Sequence, residues 1–274
     1  MLLQPAPRVN GAPAPSTGAA GAPELIKRDA TPFGLSLYLN IPLGTESPAR
    51  AMTGIYVPPG YRPRSQVDLI VYLHGFKSHP SITIETYWDS RRFPYWPLRE
   101  GVAASQKNVI LVAPTLGPHA QAGRLLGPGG FDSYLDRILT ALVEHGPYSA
   151  AGRPALGNLV LACHSGGGRP MRQLAVAEQR AAAQVRECWG FDCLYNADDA
   201  AHWVRWARAR PDARLFIHYL SSTAELSKKL QAMAIPNVLV DRSIARGHNW
   251  VPTTHWRNRI QTAPFFQSLA GAPR

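Results

Sequence analysis

Leu159-Val160-Leu161-Ala162-Cys163-His164-Ser165-Gly166-Gly167-Gly168-Arg169-Pro170 is the stretch that decides the fold. Its first five residues form an unbroken apolar run, which suits a strand covered on both faces. The run ends in Ser165, glycines follow at once, and Pro170 fits the first turn of a helix, where a missing N–H leaves no bond unmade. A chain that passes this abruptly from strand to helix holds its central residue at strained backbone angles, and the neighbours must be small to clear it. That is the logic of a nucleophile elbow, G-x-S-x-G, here Cys163-x-Ser165-x-Gly167 with a cysteine at the first small position. Such a turn exposes the Ser165 hydroxyl and aims the amino end of the next helix at developing negative charge. A phosphate-binding loop is the other reading of Gly166-Gly167-Gly168, but the G-K-[ST] ending of that motif is missing.

Working outward, two similar apolar runs lie at Leu69–Leu73 and Val109–Ala113. Strands are predicted over 35–41, 53–57, 67–73, 109–113, 159–163, 185–191, 214–219 and 237–241. Helical spacing is read in 97–106, 131–145, 169–184, 198–209 and 224–233. Strands separated by helices imply crossover connections and a mainly parallel eight-stranded sheet, with active groups at the strands' carboxyl ends. Residues 1–24 are Pro, Ala and Gly with little else and read as a flexible tail, leaving 25–274 as one α/β domain.

A serine nucleophile needs a base. Of the nine histidines, His248 stands in Arg246-Gly247-His248-Asn249-Trp250, in a loop directly after the last predicted strand. His164 flanks the serine inside the turn, and His218 lies inside a strand, where a satisfied core histidine is the ordinary occupant. Tyr72-Leu73-His74-Gly75-Phe76 ends another strand, so the N–H groups of Phe76 and Gly166 are candidates for an oxyanion hole.

In this order, strand–His-Gly-Phe, strand–Cys-His-Ser-Gly-Gly–helix and strand–loop–Gly-His-Asn-Trp, the chain resembles the α/β-hydrolase superfamily in its esterase and lipase branch, over about residues 34–264. The resemblance implies a Ser, acid, His order along the chain, so the acid is expected between Ser165 and His248. Asp192, at the carboxyl end of the strand 185–191, is the first choice because a strand end is a rigid platform; Glu225, after the next strand, is the second. The expected activity is hydrolysis of carboxylic esters through an acyl-enzyme, with Ser165 as nucleophile, His248 as base and Asp192 as its orienting acid. An amidase or peptidase on the same scaffold, acting on a polyanionic or polymeric substrate, is the alternative, and a non-catalytic binding protein a third reading. No metal or organic cofactor is expected.

The segment 81–98 is rich in aromatics, and Trp88 and Trp96 there, with Trp250 beside His248, are candidate substrate-binding walls. Packing of a long loop onto the body is the competing reading. Net charge is +11, with five lysines against 24 arginines. Arg169, Arg172, Arg242 and Arg246 are placed to ring the site and favour an anionic substrate, or to be surface charge. No nucleic-acid-binding motif is visible, so none is expected as partner. Small or polymeric esters are the expected partners. Three cysteines without zinc spacing read as reduced thiols, and no signal-peptide core is visible, so a cytoplasmic location is expected. No apolar run is long enough to span a bilayer.

Overall fold

The computed structural model describes residues 23–45, 50–88, 94 and 96–269. Among the described residues, nine strands form one sheet. They are Glu24–Thr31 (β1), Gly34–Asn40 (β2), Met52–Val57 (β3), Gln66–Leu73 (β4), Ile110–Pro114 (β5), Ala155–His164 (β6), Val185–Phe191 (β7), Arg214–Tyr219 (β8) and Val238–Arg242 (β9). Their order across the sheet is β1-β2-β3-β5-β4-β6-β7-β8-β9. The first three are antiparallel to their neighbours, and β5, β4, β6, β7, β8 and β9 run parallel.

Helices cover both faces. In chain order they are Ile84–Tyr87 (α1), Leu98–Ser105 (α2), Gly130–Glu144 (α3), Gly168–Ala175 (α4), Arg180–Ala183 (α5), Asp199–Ala209 (α6), Ala224–Ala232 (α7) and Val251–Thr262 (α8). The central strands explain their own apolar runs. Leu69, Val71 and Leu73 of β4 and Leu159, Leu161 and Cys163 of β6 enter one core layer, while Ile70, Tyr72, Val160 and Ala162 enter the other. Alternating side chains that are all buried leave no position for a polar residue. Each fully buried aliphatic side chain contributes about 1.5–3 kcal/mol of transfer free energy.

Three expectations need correction. Among the described residues the sheet has nine strands rather than eight, because β1, a strand whose side chains are mostly exposed, pairs with β2 at the edge of the sheet. Glu24, assigned to the tail, begins that strand, and the rest of the tail apart from Pro23 lies outside the described residues. The predicted helix 169–184 is two helices. Its interruption has a tertiary cause: the Gln179 side chain accepts the N–H groups of Phe131 and Asp132 at the start of α3. In return the Asp132 carboxylate accepts those of Arg180 and Ala181 at the start of α5. Two helix starts cap one another, satisfying donors that an uninterrupted helix would have used internally.

Parallel strands β4, β6, β7, β8 and β9 bring the Gly75 loop, Ser165, Asp192, the loop after β8 and the His248 loop to one edge of the sheet. Among the described residues, no helix is long and apolar enough to cross a membrane.

Candidate active site

Ser165 sits between β6 and α4 with φ of +53°, a left-handed conformation unusual for a side-chain-bearing residue. The crowding that the sequence implied is present. A Cβ on Gly75 would lie 2.7 Å from Ser165 Cβ, and one on Gly167 would lie 2.2 Å from the Leu73 carbonyl oxygen. One on Gly168 would lie 2.3 Å from the Cys193 carbonyl oxygen. The cysteine at the first small position is tolerated: Cys163 is buried, and Cys163, Cys188 and Cys193 are all free thiols.

Asp192 follows β7 and also has a left-handed backbone, φ +48°. Its side chain is fully buried and gathers donors. Oδ1 accepts the Leu220 N–H at 2.9 Å and the Thr223 hydroxyl, and Oδ2 accepts the Ser222 hydroxyl at 3.0 Å. His248 Nδ1 donates to Oδ2 at 2.6 Å. Burial alone would raise the carboxyl pKa, but these hydrogen bonds, led by that of His248, override it and hold the group down at about 2. Asp192 is therefore ionised at neutral pH, and it fixes the proton of His248 on Nδ1.

His164, the residue before Ser165, is buried with its ring centroid 4.4 Å from that of His248. Its Nε2 lies 3.2 Å from the His248 carbonyl oxygen. Burial lowers its pKa to about 3, so the neutral ring donates this bond. The turn at Ser165 and the loop of His248 are thereby tied into one corner. His74 braces the other side. Its Nε2 accepts the Leu116 N–H at 2.8 Å, so Nδ1 carries the proton and donates to the Gly75 carbonyl at 2.6 Å. Carbonyl and N–H point opposite ways across a trans peptide, so anchoring that oxygen aims the Phe76 N–H away from the His74 ring.

A cleft of about 830 Å³ opens in front of Ser165. Phe76 and Gly166 line it beside the serine, with Arg169 and Gln173 of α4 on one side and the segments 119–126 and 193–196 on the others. Tyr195, in this wall, was not anticipated from the sequence. Burial and the Asp192 charge push its hydroxyl pKa up, opposed by the nearby hydroxyls of Ser165 and Ser222. Ser222 and Thr223 were also missed; a Ser-Ser-Thr cluster directly after a strand was the available sign of hydroxyls serving a carboxylate.

Several predicted residues fall elsewhere. Glu225 is exposed on α7 and pairs with Lys229, whereas His248 pairs with Asp192. Trp88 is not a cleft wall: it is fully buried, with its Nε1–H on the Tyr38 hydroxyl and its ring where a Cβ on Gly54 would be. Trp96 stacks on Tyr87 at 4.0 Å and Trp250 lies under the Arg246 guanidinium at 3.5 Å, and neither lines the cleft. Phe93 and Tyr95 lie outside the described residues. Of the four arginines, only Arg169 lines the cleft. Arg172 is half of a buried pair with Asp199 at 3.0 Å, and Arg242 belongs to edge strand β9.

No protein-family model and no curated protein sequence matches the chain. Solved structures do resemble it. An S-formylglutathione hydrolase from Agrobacterium tumefaciens superposes with a TM-score of 0.52 at 14% identity, over 86% of this chain and 97% of that one. A feruloyl esterase module from Clostridium thermocellum, complexed with sinapinate, gives 0.51 at 14% identity over 97% and 96%. With this strand order, the turn at Ser165 and these neighbours, the chain has the α/β-hydrolase fold.

Proposed function

We propose that the protein hydrolyses carboxylic esters through an acyl-enzyme on Ser165. The observation that carries this reading is the 2.6 Å bond that His248 Nδ1 donates to buried, ionised Asp192, with His248 packed on His164, the residue before a serine that is held at φ +53° in the wall of the cleft. With its proton fixed on Nδ1, His248 presents a basic Nε2. That nitrogen takes the Ser165 proton as Oγ attacks the ester carbonyl, and returns it to the departing alkoxide. Water, deprotonated by the same nitrogen, then attacks the acyl-enzyme and releases the carboxylic acid and Ser165. Asp192 stabilises the imidazolium formed in both steps. The Phe76 and Gly166 N–H groups receive the carbonyl oxygen as it becomes negative, each worth about 2.7–4 kcal/mol at the transition state.

Both structural neighbours are named as hydrolases of acyl compounds, which supports an ester as substrate. A panel of p-nitrophenyl esters and matched anilides tests the reading. Ester turnover that disappears in Ser165→Ala is expected. Turnover of anilides in preference to esters would make the protein an amidase, and ester turnover that survives in Ser165→Ala would exclude the mechanism.

A further inference from the structure

Among the described residues, the cleft wall holds an arginine, Arg169, with no carboxylate partner. On the same helix Arg172 is neutralised by carboxylates, lying 3.0 Å from both Asp198 and Asp199. Arg169 has no such partner among the described residues. It lies in the first turn of α4, one helical turn beyond Ser165, and its exposed side chain lines the cleft with the serine. Both residues line the same cleft, so the guanidinium, on its long flexible arm, faces the space that a group a few bonds from an acyl carbon at Ser165 would occupy.

No aspartate or glutamate lines the cleft among the described residues; its other polar side chains include Gln121, Gln173, Asn196 and His119. Apolar Phe76, Leu126 and Pro170 make up much of the rest. A substrate filling this space would displace water around Arg169 and strengthen its attraction for an anion. The fork of a guanidinium matches a carboxylate in both shape and charge. The net charge of +11 adds a long-range pull of the same sign.

We propose that Arg169 selects esters bearing a second, free carboxylate a few bonds from the scissile carbonyl. This rests on the ester-hydrolase reading above. Two matched pairs test it: p-nitrophenyl hexanoate against mono-p-nitrophenyl adipate, and phenyl butyrate against 3-carboxyphenyl butyrate. In at least one pair, kcat/KM should favour the anionic ester about tenfold, chiefly through KM, as one charged contact in a partly exposed site provides. Arg169→Gln should bring that ratio close to one, Arg169→Lys should restore part of it, and added salt should lower it only where the cation is present. Because the readout is a ratio, a general loss of activity does not imitate the effect. A ratio near one in the unmutated protein, or one unchanged by Arg169→Gln, overturns the proposal.

Calorimetry on Ser165→Ala protein separates this from the parent reading. If monomethyl adipate binds and dimethyl adipate does not, and binding is lost when Arg169→Gln is added, the anion site stands even if no ester is hydrolysed. Equal binding of the two overturns it.

Discussion

Replacing Asp192 by asparagine tests the orienting acid with almost no change in shape. The direction of the effect follows from the four donors around the carboxylate. The Leu220 N–H at Oδ1 can only donate, so the asparagine must keep its carbonyl oxygen there. Its NH2 then occupies the Oδ2 position, facing the Ser222 hydroxyl and His248 Nδ1. Ser222 can rotate to accept, but His248 can accept only if its proton moves to Nε2. That tautomer cannot take a proton from Ser165, and the loss in serine hydrolases of this geometry is about 10⁴-fold in kcat. Stability falls as well. A carboxyl held at about 2 instead of 3.8 contributes about 2 kcal/mol at neutral pH. In a chain of this size that is about 4–8 °C in Tm. Because the folded-state pKa is depressed, this contribution is complete above about pH 4 and lost as pH falls through about 2. Ester turnover with p-nitrophenyl butyrate and melting curves at several pH values measure both. A kcat loss below tenfold refutes the orienting role, and a Tm gap between the two proteins that closes above pH 5 refutes the electrostatic reasoning.

Burial holds His74, His164 and His218 near a pKa of 3, far below the usual 6.5, so the unfolded chain takes up protons that the folded one refuses. Stability is therefore complete above about pH 6.5 and falls as pH drops toward 3, by up to about 4 kcal/mol per pH unit for the three together. Tm should decline steeply between pH 6 and pH 4, more gently in His218→Phe; a flat profile over that range contradicts the assignment. Gly75→Ala places a Cβ 2.7 Å from Ser165 Cβ and 3.0 Å from the His164 carbonyl oxygen. Displacing the serine by a fraction of an ångström should lower kcat about 10²-fold while the circular dichroism spectrum stays native, and an unimpaired kcat would show that the packing is looser than described.

What the sequence made legible divides along physical lines. Runs such as 69–73 and 159–163 announced themselves because a parallel strand covered on both faces has no room for polar residues. Edge strand β1, Glu-Leu-Ile-Lys-Arg-Asp-Ala-Thr, carries no such signal, since most of its side chains meet water. Helix α8 buries only Val251, Pro252, Trp256 and Ile260, too sparse a stripe to stand out by period. The break between α4 and α5 depends on Gln179 and Asp132 meeting across 47 residues of chain, which no local pattern records. The site divides in the same way. Ser165, Asp192 and His248 follow strand ends, which a sequence marks clearly. The cleft walls come from segments 119–126 and 193–196, whose aperiodic loops left the aromatic segment 81–98 as the more visible, and mistaken, candidate. There Trp88 is core: its ring occupies the space that Gly54 leaves open.

The central claim is that Ser165 is a nucleophile activated by His248. Intact-mass analysis after exposure to a fluorophosphonate tests it without knowledge of the substrate. One adduct per chain, mapped by peptide sequencing to Ser165 and absent from both Ser165→Ala and His248→Ala, is the predicted result. Unmodified protein under conditions that saturate a serine esterase, or an adduct on another residue, would contradict it.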